Sequence, residues 1–325
     1  MVADARPVVV GVPEWLPAAE REAIRAAARA GGRRAELRPF AGRDGLRALL
    51  PELEVLCDGG LRAGEATAAG RLRWIHVGSA GVERLPLGEL LAQGITLTNA
   101  RGEHAEAMAD HAFALLLAMA RHIPEFAAAQ RERRWAPRGC GVLAGRRMGI
   151  LGFGSIGREI ARRAAVFGME IWATRRRPAP DPLAARVFGS GRAELLEVCA
   201  GCDDLVAVLP STPETRGLFD AEAFAAMRPG SRLINLGRGD LLVRDALADA
   251  LRSERLGGVA CDCLPGEPLS PEDPLWEAPG LLVTPHVGGT RPDAGGRFLA
   301  LFRANLTRYC RGEALANVVD LRAGY

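Results

Sequence analysis

Short runs rich in apolar residues recur along the chain: Pro7–Val12, Ala35–Phe40, Val55–Asp58, Arg73–Val77, Met148–Leu151, Met169–Ala173, Leu205–Leu209, Leu233–Leu236, Gly258–Cys261 and Leu281–Val283. Runs of this length suit parallel strands covered on both faces. Between them, apolar residues recur at helical spacing. Pro17–Ala30 is alanine-rich and stops at Gly31-Gly32. Ile156, Ile160, Ala164 and Phe167 line one helical face, which Gly168 ends. Asp293–Arg311 is amphipathic. Alternation of strand and helix predicts an α/β chain with parallel sheets.

Glu103–Arg121 departs from this pattern, because its centre, Ala112–Ala120, is apolar nearly all round. Such a helix needs cover on most faces, from an adjoining domain or from a partner subunit. The polar stretch Gln130–Leu143 that follows reads as a loop or arm.

Directly after the Met148–Leu151 run come Gly152, Gly154 and Gly157 as G-x-G-x-x-G, and the helix after them leads to the next strand. In a βαβ unit each glycine has a task. Gly152 allows the tight turn, Gly154 leaves room for a pyrophosphate, and Gly157 lets helix and strand approach. The N–H groups of Ser155 and Ile156 then face the phosphates. The flanking strand and helix make this a dinucleotide site rather than a stray glycine turn.

The chain has 325 residues, enough for two domains, and is 48% hydrophobic and 25% charged. A net charge of +3 gives no argument for nucleic acid. The sequence contains no lysine, which excludes a Walker lysine or a Schiff base. No run approaches the ~18 apolar residues of a membrane span. MVADARPVVV lacks the pattern of a signal peptide, so a cytoplasmic protein is expected. Seven cysteines, an odd number, read as reduced, small buried hydrophobes; Cys199-Ala-Gly-Cys202 has no second pair to complete a zinc site, and no metal is expected.

Ligands of open α/β sheets sit at the carboxyl ends of strands. Arg238, Asp262 and His286 each follow a strand there, and Glu267 lies five residues beyond Asp262. An imidazole works as acid and base near neutral pH, and a neighbouring carboxylate fixes its tautomer. An arginine clamps a carboxylate with paired donors. Beside a nicotinamide, these groups suit hydride transfer to a 2-oxo acid. The turn Gly78–Val82, also after a strand, can offer backbone N–H groups to an anion.

The stretches GFGSIGREIARR, LPSTPETRGLFD, MRPGSRLINLGRGDLLVRDAL, GVACDCLPGEPL and LLVTPHVGG resemble, in order and spacing, the motifs of the D-2-hydroxyacid dehydrogenase family. The resemblance covers nearly the whole chain. It implies a Rossmann-type dinucleotide-binding domain, residues 101–286, inserted in a discontinuous flavodoxin-like substrate domain, residues 1–100 and 287–325. It makes Arg238 the substrate-binding arginine, Glu267 the carboxylate partner and His286 the acid/base. It gives Asp262 the nicotinamide carboxamide, with Leu209, Pro210, Leu236, Gly237 and Gly288 beside the cofactor. Ala80 and Gly81 would give N–H groups to the substrate carboxylate, and the Glu103–Arg121 helix would join a homodimer. Glu103, His104, Met108 and Trp135 are candidates for the pocket that selects the side chain. The family's common Asp-Val-Phe/Tyr is Asp262-Cys263-Leu264 here, which alters one pocket wall.

Rossmann sites for NAD carry Asp or Glu about 20 residues past the fingerprint, on the ribose hydroxyl. The corresponding strand end here is Thr174 followed by Arg175-Arg176-Arg177, and Asp181 is the first carboxylate after it. Arginines attract a 2′-phosphate. NADP(H) is therefore expected as the preferred cofactor, with NAD(H) also accepted, and Thr174, Arg175 and Arg176 around the phosphate. The expected reaction is reversible reduction of a small 2-oxo acid. The alternatives are a corepressor-like nucleotide-binding protein and a relative oxidising another donor such as phosphite.

Overall fold

A computed structural model describes residues 6–325, which form two compact units. The first holds the chain up to Glu103 together with Pro292–Tyr325, and the second is His104–Arg291. The breaks lie three and five residues beyond the expected ones. Ion pairs explain both shifts: Glu103 accepts from Arg297 at 2.8 Å within the first unit, and Arg291 pairs with Glu106 at 3.1 Å within the second.

In the first unit, β1 (Val8–Pro13), α1 (Ala18–Ala30), β2 (Ala35–Phe40), α2 (Gly42–Leu49), β3 (Val55–Cys57), β4 (Trp74–Val77), α3 (Leu87–Ala92) and β5 (Thr96–Asn99) follow one another. All pairings are parallel, in the order β2-β1-β3-β4-β5. Strand order therefore reverses beside β1. The apolar runs are buried because helices cover both faces. Leu46, Leu50 and Leu90 pack on one side. Ile24 and Ala28 pack on the other, with Phe298 and Phe302 from the chain's last helix (Ala294–Arg311).

The second unit continues with α4 (Ala105–Ala120), α5 (Ile123–Arg131), β6 (Arg147–Leu151), α6 (Ser155–Val166), β7 (Glu170–Thr174), β8 (Arg186–Phe188), α7 (Arg192–Gly201) and β9 (Asp204–Ala207). It ends with α8 (Ala221–Ala226), β10 (Arg232–Asn235), α9 (Arg244–Arg252), β11 (Gly258–Cys261) and β12 (Leu281–Val283). Its seven strands are parallel, in the order β12-β11-β10-β9-β6-β7-β8, so the order reverses between β6 and β9. The last helix of the first unit, named above, is α10.

The apolar helix α4 corrects the argument for a partner subunit. Met108, Ala109, Ala112, Phe113, Leu115, Leu116 and Met119 are buried within the second unit, against Ile160, Ala161 and Ala164 of α6 and the sheet. One chain supplies the cover that the sequence pattern demands. Among the described residues, no single helix is long and apolar enough to cross a membrane. The reading of all seven cysteines as core residues also needs correction. Cys57, Cys199, Cys202, Cys261 and Cys263 are buried, whereas Cys140 and Cys310 are partly exposed. Burial pushes the Cys199 and Cys202 thiols up to about 12, as expected for inert packing groups.

Candidate functional site

The glycine turn after β6 gives each glycine a separate physical reason. Gly152 has φ +103°, and a Cβ there would stand 3.0 Å from the carbonyl oxygen of Val208. A Cβ on Gly157 would stand 2.4 Å from the carbonyl oxygen of Gly152. Gly154 precedes α6, and a Cβ there would meet nothing within 4 Å. The open side of Gly154 and the unsatisfied N–H groups at Ser155 and Ile156 form a cradle that fits a dinucleotide pyrophosphate. The turn lies where strand order reverses, between β6 and β9, the position of ligand crevices in such sheets.

At the end of β7, Thr174 is buried. Its hydroxyl oxygen accepts from Gly152 N–H at 3.3 Å, and its carbonyl accepts from Phe153 N–H at 2.8 Å. Thr174 thus shapes the glycine turn. Arg175 is anchored by its N–H on Phe188 O at 3.1 Å, and Arg176 is exposed. The next carboxylate, Asp181, is paired with Arg158 of α6 and is not presented at this strand end.

A third cluster sits at the ends of β10, β11 and β12. Asn235, fully buried, donates from Nδ2 to the carbonyls of Arg238 at 2.9 Å and Cys263 at 3.0 Å. Its Oδ1 accepts from Gly237 N–H at 3.1 Å. One amide therefore fixes two strand-end turns. A Cβ on Gly237 would stand 2.6 Å from Leu209 O, and one on Gly239 2.1 Å from Leu264 O. The glycines either side of Arg238 are thus packing requirements. The close approach at Gly237 brings the Leu209 and Gly237 backbones together. The Arg238 guanidinium donates to Gly237 O at 2.7 Å, and the Cys263 thiol contacts the same oxygen at 3.5 Å. Cys263 Sγ in turn lies 3.6 Å from Nδ1 of His286, which is 2.9 Å from Oε1 of Glu267. Arg238, His286 and Glu267 are so joined through Gly237 and Cys263.

His286 has φ +55°, a left-handed conformation that non-glycine residues hold only under constraint. Asp262 supplies it. Its Oδ1 accepts from Thr284 Oγ1 at 2.7 Å and Val287 N–H at 2.9 Å, and its Oδ2 from Gly288 N–H at 2.8 Å. His111 of α4 adds a contact to Thr284 Oγ1 at 2.9 Å. A Cβ on Gly288 would stand 2.9 Å from Asp262 Oδ2. Asp262 and Gly288, expected beside the cofactor, are at this rim and hold the loop that aims His286.

Asn235, Thr284 and His111 were not singled out by the sequence. A signal existed for Asn235: an amide inside the apolar run Leu233–Leu236 must find buried partners. Of the side-chain pocket candidates, His104 contacts Gly289 O at 3.0 Å and Met108 lies beside Gly288. Glu103 is engaged by Arg297 in the first unit, and Trp135 is 95% exposed. In the first unit, the turn after β4 uses its carbonyls internally. Ser79 O accepts from Ala100 N–H, Ala80 O from Asn99 Nδ2 and Gly81 O from Ser79 Oγ. Among the described residues, the Ala80 and Gly81 N–H groups donate to no acceptor.

Fold and rim together define an α/β protein with a glycine-rich dinucleotide turn and a histidine–carboxylate pair at the carboxyl ends of strands of one sheet. Comparison with known proteins narrows the class. The family model for "D-isomer specific 2-hydroxyacid dehydrogenase, NAD binding domain" matches residues 113–288, and the chain belongs to that family. The D-3-phosphoglycerate dehydrogenase of Mycobacterium tuberculosis (strain ATCC 25618 / H37Rv) is 31% identical over 287 residues, 87% of this chain and 54% of that protein. The chain thus spans about half the length of that relative. The glyoxylate reductase of Pyrococcus furiosus is 32% identical over 262 residues, 78% of this chain and 77% of that protein. A D-isomer specific 2-hydroxyacid dehydrogenase from Xanthobacter autotrophicus Py2, solved in complex with NADPH and MES, superposes with a TM-score of 0.81 at 28% identity. That match covers 99% of this chain and 100% of the other.

Proposed function

We propose that this protein is an oxidoreductase that reduces a small 2-oxo acid to the D-2-hydroxy acid, reversibly, with NADP(H) preferred over NAD(H). The observation that carries the reading is the His286–Glu267 pair, joined to Arg238 through Gly237 and Cys263 on the carboxyl edge that also bears the glycine turn. The chain's own residues divide the work. Arg238 binds the substrate carboxylate with paired N–H donors. In the first unit, Ala80 and Gly81 offer backbone N–H groups to an anion. His286 gives its proton to the carbonyl oxygen in reduction and takes it from the hydroxyl in oxidation. Glu267 orients the ring through Nδ1, which leaves Nε2 for the substrate. Asp262 and Thr284 keep the His286 loop in place, and Gly152, Gly154, Ser155, Ile156 and Gly157 hold the pyrophosphate. A bound nicotinamide supplies the hydride. Arg175 and Arg176, with no competing carboxylate at that strand end, support the NADP(H) preference.

The test is steady-state oxidation of NADPH and of NADH with glyoxylate, hydroxypyruvate, pyruvate, phenylpyruvate and branched-chain 2-oxo acids. Turnover with at least one acid, faster with NADPH, is expected. Tight NADPH binding without turnover of any of them would overturn the reading in favour of a nucleotide-binding regulator or another donor.

A further inference from the structure

The proposed reaction gives the Cys263 thiol no chemical step, although it lies against His286. Its sulfur is 3.6 Å from Nδ1 and 3.7 Å from Nε2 of His286. One donor atom each from Cys263, Glu267 and His286 lie within 4.8 Å of one another. Sulfur, imidazole nitrogen and carboxylate oxygen are the ligand types of zinc. In a tetrahedral zinc site, bonds of about 2.3 Å to sulfur, 2.0–2.1 Å to nitrogen and 2.0–2.2 Å to oxygen set S···N near 3.6 Å and N···O near 3.4 Å. The observed Sγ···Nδ1 distance is 3.6 Å, and Nδ1···Oε1 is 2.9 Å. Sγ also lies 3.7 Å from Nε2, whereas an ion in the ring plane on Nδ1 would put its sulfur ligand about 5 Å from that nitrogen, so a cation enters when the imidazole turns to aim Nδ1 between sulfur and carboxylate and the Glu267 oxygen withdraws by about half an ångström. That movement exchanges the Oε1 hydrogen bond to His286 for the cation while Oε2 keeps the Leu264 N–H, and Glu267, with its side chain 33% exposed, makes it toward solvent. Cys263, 1% exposed, is held in position by packing, and His286, 53% exposed at its side chain, leaves the fourth ligand direction to solvent.

We propose that Cys263, Glu267 and His286 form an inhibitory site for a thiophilic divalent cation, with zinc as the model ligand. Binding releases the thiol proton to solvent and places the cation on Nδ1 in place of the Glu267 hydrogen bond. Substrate protonation stops because the imidazole is locked as a ligand. The binding rests on the geometry, and the inhibition rests on the function proposed above.

The whole enzyme is titrated with cadmium chloride, and the thiolate-to-cadmium charge-transfer absorbance is read. Zinc chloride inhibition of 2-oxo acid reduction is measured alongside. The wild type and Cys140→Ser, which removes a partly exposed thiol elsewhere, should both show a band saturating at one cadmium per chain and inhibition reversed by EDTA. Cys263→Val and Cys263→Ser should lose the band and, each measured against its own metal-free rate, need at least about tenfold more zinc for half inhibition, as expected when one of three protein ligands is removed. A band that persists in both Cys263 variants would overturn the site, as would equal zinc sensitivity of the wild type and both variants. A band lost with Cys263 in an enzyme inactive on every 2-oxo acid would leave the cation site standing and overturn only the proposed function.

Discussion

Glu267 is held at both ends: Oε1 lies 2.9 Å from Nδ1 of His286, and Oε2 accepts from the backbone N–H of Leu264 at 3.1 Å. A carboxylate partner at Nδ1 favours one ring orientation and tautomer, which under the proposed function leaves Nε2 as the working nitrogen. His286→Ala should lower kcat by about 100-fold or more, the usual worth of a positioned acid/base, while NADPH still binds. Arg238→Ala should act mainly on substrate KM, at a cost of about 2–4 kcal/mol for a charge-assisted paired contact. Steady-state kinetics with cofactor binding measured by fluorescence would separate the two. Near-normal turnover of the His286 variant would remove it from the mechanism.

Asn235 tests how the rim is positioned. Its amide satisfies Gly237 N–H and the carbonyls of Arg238 and Cys263, so Asn235→Ala leaves three buried polar groups without their partner. Unfolding free energy should fall by about 1–3 kcal/mol, with kcat and KM both changed because the turns bearing Arg238 and Cys263 loosen together. Loss of stability with unchanged kinetics would reduce Asn235 to a structural role.

Much of this was legible in the sequence because the βα alternation and the glycine turn act locally. Strand ends place Arg238, Asp262 and His286 on one edge whatever the packing. Other features depend on long-range contacts that periodicity does not carry. The short strands β5 and β8 fell outside the sequence reading. The Leu205–Leu209 strand ends at Ala207, because Val208–Pro210 turns toward Gly152 and Gly237. The apolar pattern of α4 is met largely by α6 and the sheet, so it does not by itself argue for a partner subunit. The role of Asp262 as a loop clamp required coordinates, since the groups that donate to it lie more than 20 residues away along the chain.

His76 on β4 gives a pH prediction for stability. It is fully buried among Trp74, Phe298 and Phe302, with Nδ1 2.7 Å from Thr98 Oγ1. Burial lowers it from 6.5 to about 4, against a smaller opposing effect from the Phe298 backbone. The folded chain therefore resists a proton that the unfolded chain accepts. The contribution is complete above the unfolded value of 6.5 and is lost as pH falls to about 4. The full difference corresponds to about 3 kcal/mol. Denaturant midpoints should fall over this window, and His76→Gln should flatten the slope there even if it lowers stability overall. Parallel pH curves for the two proteins would refute the assignment.

The proposed NADP(H) preference rests on the end of β7. A carboxylate accepting from the ribose hydroxyls would select NAD and repel a 2′-phosphate. Here Arg175 occupies that place, with its backbone tied to Phe188, and Asp181 is taken by Arg158. Arg176 is less available. It is one of the groups that hold the Glu214 carboxyl below the ordinary range, after the hydrogen bond from Thr212 and that from Glu214's own backbone. Arg175 should therefore carry most of the discrimination. A hydrogen-bonded contact to a charged group is worth about 1.5–3 kcal/mol, so Arg175→Ala should raise KM for NADPH roughly 10- to 100-fold and leave NADH nearly unchanged. Arg175→Asp should go further and favour NADH, because the new carboxylate both repels the phosphate and accepts from the ribose. Arg176→Ala should have a smaller effect on NADPH than Arg175→Ala. The measurement is kcat/KM for both cofactors at saturating 2-oxo acid in the wild type and the three variants. Equal efficiency of the wild type with NADPH and NADH would remove the 2′-phosphate from this strand end while leaving the catalytic rim untouched.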